Sequence, residues 1–255
     1  MFAGIGPHEP NVASLQAGRG LCTELPTQAD AAETAVQVAP RLLLAGREMM
    51  EPMRLDHPER MERARLALMG LSVGDAFGEC FFGPAQVLQL ARAVRTLPPS
   101  PWYYTDDTEM ALAVVEVLDH AGHIEKDRLA SRFADRYCRE PRRGYGGTAH
   151  QILRAISEGT PWQVAAGRAF SGMGSMGNGA AMRVAPLGAY FADEFSTVVA
   201  QARDSAAVTH AHPDGQAGAI AVAIAAAGAC TLPRHPSLGW HLLDLAIEHT
   251  PAGPT

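Results

Sequence analysis

The sequence predicts an all-α fold. Apolar residues recur at a helical period along most of the chain, no strand pair carries hairpin chemistry, and no apolar–polar alternation runs beyond a few residues. The first 57 residues are expected to form a poorly ordered leader, because Pro, Gly and polar breaks interrupt every period; 31–50 has room for a helix or two. Regular pattern starts near Arg60, where Glu62–Met69 is a run of good helix formers. It continues through Gly70, Gly74 and Gly78, whose spacing puts small residues on one face and invites the close approach of another helix or a ligand. Residues 85–94 form a further helix before the break at Pro98-Pro99-Ser100-Pro101.

Glu109–Ala121 is helical on the spacing of Met110, Ala111, Val114, Val115 and Leu118. Helices over Asp127–Tyr137, Thr148–Ser157, Glu194–Ala207, Pro213–Cys230 and Leu238–His249 follow. The run Gly218–Cys230 is mostly Ala and shorter than the ~20 apolar residues a membrane span needs. Apolar around its whole circumference, it reads as the buried centre of the domain. The organisation expected is a leader over 1–57 and one helical domain over 58–255.

Composition narrows the function classes. The 255 residues are enough for a sizeable core at 47% hydrophobic content. A formal net charge of −6 argues against nucleic-acid binding through a basic surface. Cys22, Cys80, Cys138 and Cys230 are scattered, which excludes a disulfide framework or zinc ribbon and fits a reducing cytoplasm. Residues 1–30 lack the charged-then-apolar pattern of a secretory signal.

Four segments carry chemistry. Thr105-Asp106-Asp107 stands at a loop-to-helix boundary. Asp106-x-x-Glu109 resembles a capping box, yet capping needs one acceptor, and the adjacent carboxylates with the Thr105 hydroxyl make a set of oxygen donors for a hard cation. Arg142-Arg143-Gly144-Tyr145-Gly146-Gly147-Thr148 is a glycine-rich turn. Its Tyr145 ring is suited to stacking on a base or sugar, and its bland reading is an interhelical turn capped by Thr148. Gly172–Arg183 holds Gly174, Gly177, Asn178 and Gly179, a loop for close backbone approach, with a helix near Ala180 aiming N–H groups at a phosphate. In Thr209-His210-Ala211-His212-Pro213, the His residues at i and i+2 share no helix face, so a zinc pair is excluded. One is available to a sugar or phosphate and the other to cap or pack.

These segments, in this order, resemble the ADP-ribosylglycohydrolase family, the relatives of dinitrogenase reductase-activating glycohydrolase. The matching blocks are 70–78, 104–110, 144–148, 174–183 and 209–219. The resemblance implies an all-α domain that binds ADP-ribose, or an ADP-ribosylated protein, over a pair of Mg2+ ions. It implies Thr105, Asp106 and Asp107 as metal ligands, Asp107 also orienting water as the catalytic residue. Substrate contacts would come from Gly144, Tyr145, Ser175, Gly177, Asn178, Gly179 and His210. The expected reaction is hydrolysis of the glycosidic bond between ADP-ribose and a side chain or small molecule, the alternative being a non-catalytic ADP-ribose binder. The family's closing Asp-x-Asp-Thr motif has no counterpart here: after Glu194 the acids are Asp204, Asp214, Asp244 and Glu248. Some relatives also carry a glutamate seven residues after the position of Asp75, where this chain has Phe82. The domain is therefore expected to be C-terminally incomplete, with weak, single-ion binding and slow or absent hydrolysis. Asp106, Asp107, Asn178 and His210 are expected to meet at one cleft.

Overall fold

A computed structural model describes residues 56–82 and 97–253, all within one compact unit spanning Met53–Thr255. The helices expected over 31–50 and 85–94, and nearly all of the expected leader, lie outside the described residues. Among the described residues every regular element is helical: α1 (His57–Glu79), α2 (Asp106–Ala121), α3 (Lys126–Arg139), α4 (Gly147–Ser157), α5 (Trp162–Gly167), α6 (Ala185–Tyr190), α7 (Phe195–Ala207), α8 (Pro213–Thr231) and α9 (Leu238–His249). Two 3₁₀ turns, Ala169–Gly172 and Asn178–Ala180, separate α5 from α6.

Local signals explain most boundaries. α1 begins before Arg60 because Asp56 and Glu59 form a reciprocal capping box and Pro58 suits the first turn. α2 begins at Asp106 rather than Glu109 because Thr105 is its N-cap. The capping box read at Asp106 is absent: Glu109 instead accepts from the Tyr104 hydroxyl at 3.0 Å and from Arg136 at 2.7 Å. α2 ends on Gly122 in the left-handed conformation at φ 71°. α4 starts at Gly147, one residue ahead of the expected start, with Gly146 as its N-cap, so Thr148 lies inside the helix and does not cap it. No long helix starts near Ala180; the loop passes through the short 3₁₀ turn before α6.

The core lies where α2 and α8 meet their neighbours. α8 packs on α6, α7 and α9, while α2 packs on α1, α3 and α6. α2 contributes Met110, Val114, Val117 and Leu118, and α8 contributes Ala219, Ile220, Ala223, Ile224 and Ala227. α8 departs from the expected all-round burial. Its inward face repeats at i, i+1, i+4 and i+5, but Val222 on the opposite face is 40% exposed. Ala dominates both faces, so composition does not mark which one is inward. Among the described residues no helix is long and apolar enough to cross a membrane.

The glycines of α1 also depart from expectation. A Cβ at Gly70, Gly74 or Gly78 would meet nothing within 4 Å. The close helix approach falls instead at Gly188 in α6, where an added Cβ would drive into the Ala223 carbonyl of α8. α1 is held by Arg63, which reaches both carboxylate oxygens of Asp193 at 2.9 and 2.8 Å just beyond α6.

Two glycines one helix apart should therefore respond oppositely. Gly188→Ala should lower unfolding free energy by about 1–3 kcal/mol through overpacking. Gly218→Ala, at an exposed α8 position with nothing within 4 Å, should raise it by about 0.5–1 kcal/mol through helix propensity. Urea titration of both variants checks the pair.

Candidate active site

The site is organised from α1. Asp75 takes four hydrogen bonds from the start of α2: Thr105 N at 2.8 Å, Thr105 Oγ1 at 2.7 Å, Thr108 N at 3.2 Å and Thr108 Oγ1 at 2.6 Å. The Thr105 hydroxyl also accepts from Asp107 N at 3.4 Å. The first-turn N–H groups of Asp107 and Thr108 are thus met by Thr105 and Asp75, which relieves the Asp106 and Asp107 carboxylates of most of the capping.

Both carboxylates sit in an acidic, partly desolvated setting. Burial pushes Asp106 up to about 6, with the neighbouring Asp107 charge next and Asp75 and Glu79 adding. Burial likewise pushes Asp107 up to about 6, followed by the charges of Asp75 and Glu79. Like charges at close range disfavour joint ionisation, and a cation would relieve them.

The 174–179 loop is pinned from below and is no free surface loop. Gly174 has φ +82°, and a Cβ there would stand 2.5 Å from His212 N and 2.8 Å from Ala211 Cβ. A Cβ on Gly215, in the first turn of α8, would stand 2.6 Å from Ser175 O. The Ser175 hydroxyl accepts from Gly177 N at 3.3 Å and tightens the turn. His210 fits between the loop and α8. Added Cβ atoms would lie 3.1 Å from its Cε1 at Gly179 and 3.1 Å from its Cδ2 at Gly215. His212 caps α8, its Nδ1 accepting from Asp214 N at 3.1 Å.

One cavity of about 220 Å³ unites the distant segments. Asp106, Phe170, Ser175, Gly177, Asn178 and His210 are on its wall, together with Gly179. Thr105, Asp107, Gly144 and Tyr145 are not on it. Of the four residues expected to meet, Asp106, Asn178 and His210 do so, and Asp107 stands beside Asp106 outside the lining. Gly144 at φ +93° backs the acidic turn, where a Cβ would lie 3.4 Å from Asp106 Oδ1. Tyr145 corrects the stacking expectation. Its ring is buried, edge-on to Tyr137 at 5.2 Å and to His150 at 6.0 Å, so no face is open to a base.

Several site residues escaped the sequence reading. Asp75 was visible only as a member of a matching block, and its reach to Thr105 and Thr108 is tertiary. Phe170 is half exposed on the cavity wall and holds φ 51°, ψ 50°; Ser171 follows at φ 59°. A bulky residue in the left-handed region costs energy and is characteristic of functional loops. Arg183 is fully buried, its guanidinium 4.4 Å from the Phe133 ring centre, and Thr209 links it to His210.

A helical domain with an acidic helix start and a glycine loop on one cavity matches the class suggested by the motifs. The family model for ADP-ribosylglycohydrolase matches residues 56–252, and the chain belongs to that family. Human ADP-ribosylhydrolase ARH3 is 34% identical over 179 residues, covering 65% of this chain and 49% of the relative. ADP-ribosyl-[dinitrogen reductase] glycohydrolase of Rhodospirillum rubrum is 32% identical over 176 residues, covering 64% and 56%. A protein of Archaeoglobus fulgidus is 32% identical over 174 residues, covering 65% and 55%. The chain spans about half the length of these relatives.

The acid pair sets a pH signature. A carboxyl whose folded pKa is raised binds its proton more tightly in the folded state. Its stabilising effect is complete below the unfolded value near 3.9 and is lost as pH rises through about 6. Without divalent ions, the stability difference between the native chain and an Asp106→Asn/Asp107→Asn variant should move against the native chain from pH 4 to 7. Denaturant titration across that range checks the sign.

Proposed function

We propose that this domain binds ADP-ribose in the cavity between α2 and the 174–179 loop and, with Mg2+, hydrolyses the glycosidic bond joining ADP-ribose to a protein side chain or small molecule. The observation that carries the reading is the meeting of the Asp106 carboxylate with Ser175, Gly177, Asn178 and His210 on one cavity. Such a wall suits a ligand with anionic and hydroxyl groups together. At about 220 Å³ the cavity takes part of a ligand as large as ADP-ribose, since pockets for drug-sized ligands span about 300–1,000 Å³. The remainder would extend past the half-exposed Phe170 ring, a flat surface for a base.

The donor set suits Mg2+. Thr105, Asp106 and Asp107 offer only oxygen, the two carboxylates share an uncompensated acidic environment, and Mg2+ is commonly held by one or two carboxylates with waters completing its shell. When bound, such an ion supplies electrostatic stabilisation and a template for orienting water and substrate. The chain's own residues do the rest. Asp107 orients the water that adds to the anomeric carbon as the bond to the leaving group breaks with a proton transferred to that group. Asn178 and His210 hold sugar or phosphate oxygens, and the Gly177 and Gly179 backbone admits them closely. Cys80, Cys138 and Cys230 are unpaired thiols, which supports a reducing cytoplasm as the setting.

A second reading, binding without hydrolysis, has its own support. Both Asp75 oxygens are taken by Thr105 and Thr108. Among the described residues no three His, Cys, Asp or Glu side chains group so as to hold a metal ion.

Calorimetry with ADP-ribose, with and without Mg2+, tests both readings on the 255-residue chain. Asn178→Ala should weaken binding about tenfold, the worth of a hydrogen bond to a charged or polar ligand. Mg2+ should tighten binding in the native chain and have no effect in Asp107→Ala. Binding without any Mg2+ effect and without release of ADP-ribose from a modified peptide favours the second reading. No heat of binding under either condition rejects both.

A further inference from the structure

We infer that Thr209 relays a hydrogen bond from the buried Arg183 guanidinium to Nδ1 of His210, holding the imidazole as its Nε2–H tautomer, a fixed donor at the glycine-loop wall of the cavity. Arg183 is fully buried and only donates. Its Nη1 gives to Gly179 O at 3.1 Å and to Thr209 Oγ1 at 3.0 Å, and its Nη2 gives to Ser205 O at 2.7 Å. The Thr209 hydroxyl, itself buried, therefore acts as acceptor toward Arg183 and keeps one proton to place.

The other polar atom on that hydroxyl among the described residues is His210 Nδ1, at 2.8 Å. If Nδ1 carried hydrogen, Thr209 Oγ1 would receive two donors and its own proton would be buried without an acceptor. That loss costs about 1–3 kcal/mol. If Nδ1 is bare, the Thr209 proton has an acceptor and the link from Arg183 Nη1 through Thr209 to His210 is complete; Arg183 Nε–H is without a partner in either tautomer and does not bear on the choice. The charged imidazolium is no competitor, because burial and then the Arg183 charge push His210 down to about 3. The choice is between two neutral tautomers, and the relay selects one.

The ring's plane is fixed independently of the relay, and the Thr209 contact sets which edge is Nδ1. Added Cβ atoms would stand 3.1–3.4 Å from Cε1 and Nε2 at Gly179 and 3.1 Å from Cδ2 at Gly215, so the imidazole occupies a slot that glycines keep open. Gln216 Nε2 donates to the His210 carbonyl at 3.0 Å and holds the backbone below. With Nδ1 turned to Thr209, Nε2 is the ring edge beside Gly177 and Gly179. An Nε2–H there selects ligand oxygens, a phosphate or a ribose hydroxyl, over ligand donors. That choice of ligand rests on the ADP-ribose reading; the tautomer does not. Thr209 and Arg183 are positioning residues, acting through His210.

The test is a long-range ¹H–¹⁵N correlation spectrum of the histidine-labelled 255-residue chain at neutral pH without added nucleotide, with His210→Asn to assign the signal. The expected result is a bare Nδ1 and a protonated Nε2. Thr209→Ser should preserve that pattern. Thr209→Val should shift the tautomer ratio toward Nδ1–H by about tenfold, the worth of one buried hydrogen bond. A merely structural threonine would leave the ratio unchanged in the valine variant, and that result overturns the relay. So does Nδ1–H in the native chain, which needs no variant to fold. Because the spectra are taken without nucleotide, a failure to bind ADP-ribose would overturn the functional proposal and leave the relay standing.

Discussion

Everything at the acidic end of the cavity depends on one carboxylate that is not on its wall. Asp75 leaves α1 and gathers two backbone N–H groups and two hydroxyls at the start of α2. A helix N-terminus carries unmet donors and partial positive charge, and the usual remedy is to spend a first-turn acid on it. Here the acid comes from another helix. Asp106 and Asp107 are thereby left with their charges while still benefiting from the dipole. The same four bonds tie α1 to α2, so the geometry of the site and the packing of two helices are one constraint.

The two ends of the cavity are built on opposite electrostatic terms. At the α2 end carboxylates crowd together, and burial with the charges of Asp75 and Glu79 raises the proton affinity of both Asp106 and Asp107. At the other end Arg183 is buried, and no carboxylate charge offsets that burial among the described residues. It is accommodated by carbonyls, a hydroxyl and the Phe133 ring. A ligand that is anionic along one portion and rich in hydroxyls along another would meet both fields. This is how an all-α scaffold without a long phosphate-facing helix offers polarity along a narrow cleft.

Much of this was legible in the sequence, for identifiable reasons. The periodicity of Met110, Val114 and Leu118 reports directly on which face α2 buries, and Thr105 in front of two acids reports on where it starts. The glycines of the 174–179 loop point to close approach, with a flexible surface loop as the alternative that the packing of Gly174 and Gly215 removes. What was not legible is tertiary. The open glycines of α1 and the crowded Gly188 of α6 look alike in sequence; only the path of α8 distinguishes them. Tyr145 is an aromatic among glycines whether it stacks on a ligand or, as here, packs edge-on to Tyr137. α8 is uniformly apolar, so its composition predicts burial on every side, and only the neighbours decide that Val222 is left outside. Arg183 resembles any loop arginine until Ser205 and Thr209 are brought beneath it.

The glycine slot around His210 also has a hereditary meaning. Gly179 and Gly215 lie 36 positions apart, yet both border the same ring. At Gly179 the imidazole alone sets the limit, and a methyl group there asks only a few tenths of an ångström of the ring. At Gly215 the nearer obstacle is the Ser175 carbonyl, 2.6 Å from an added Cβ, so alanine there is barred whether or not the histidine is kept. The two positions therefore have different histories: drift at 179 is answered by the ring, whereas a side chain at 215 marks a branch in which the 174–179 loop itself takes another path.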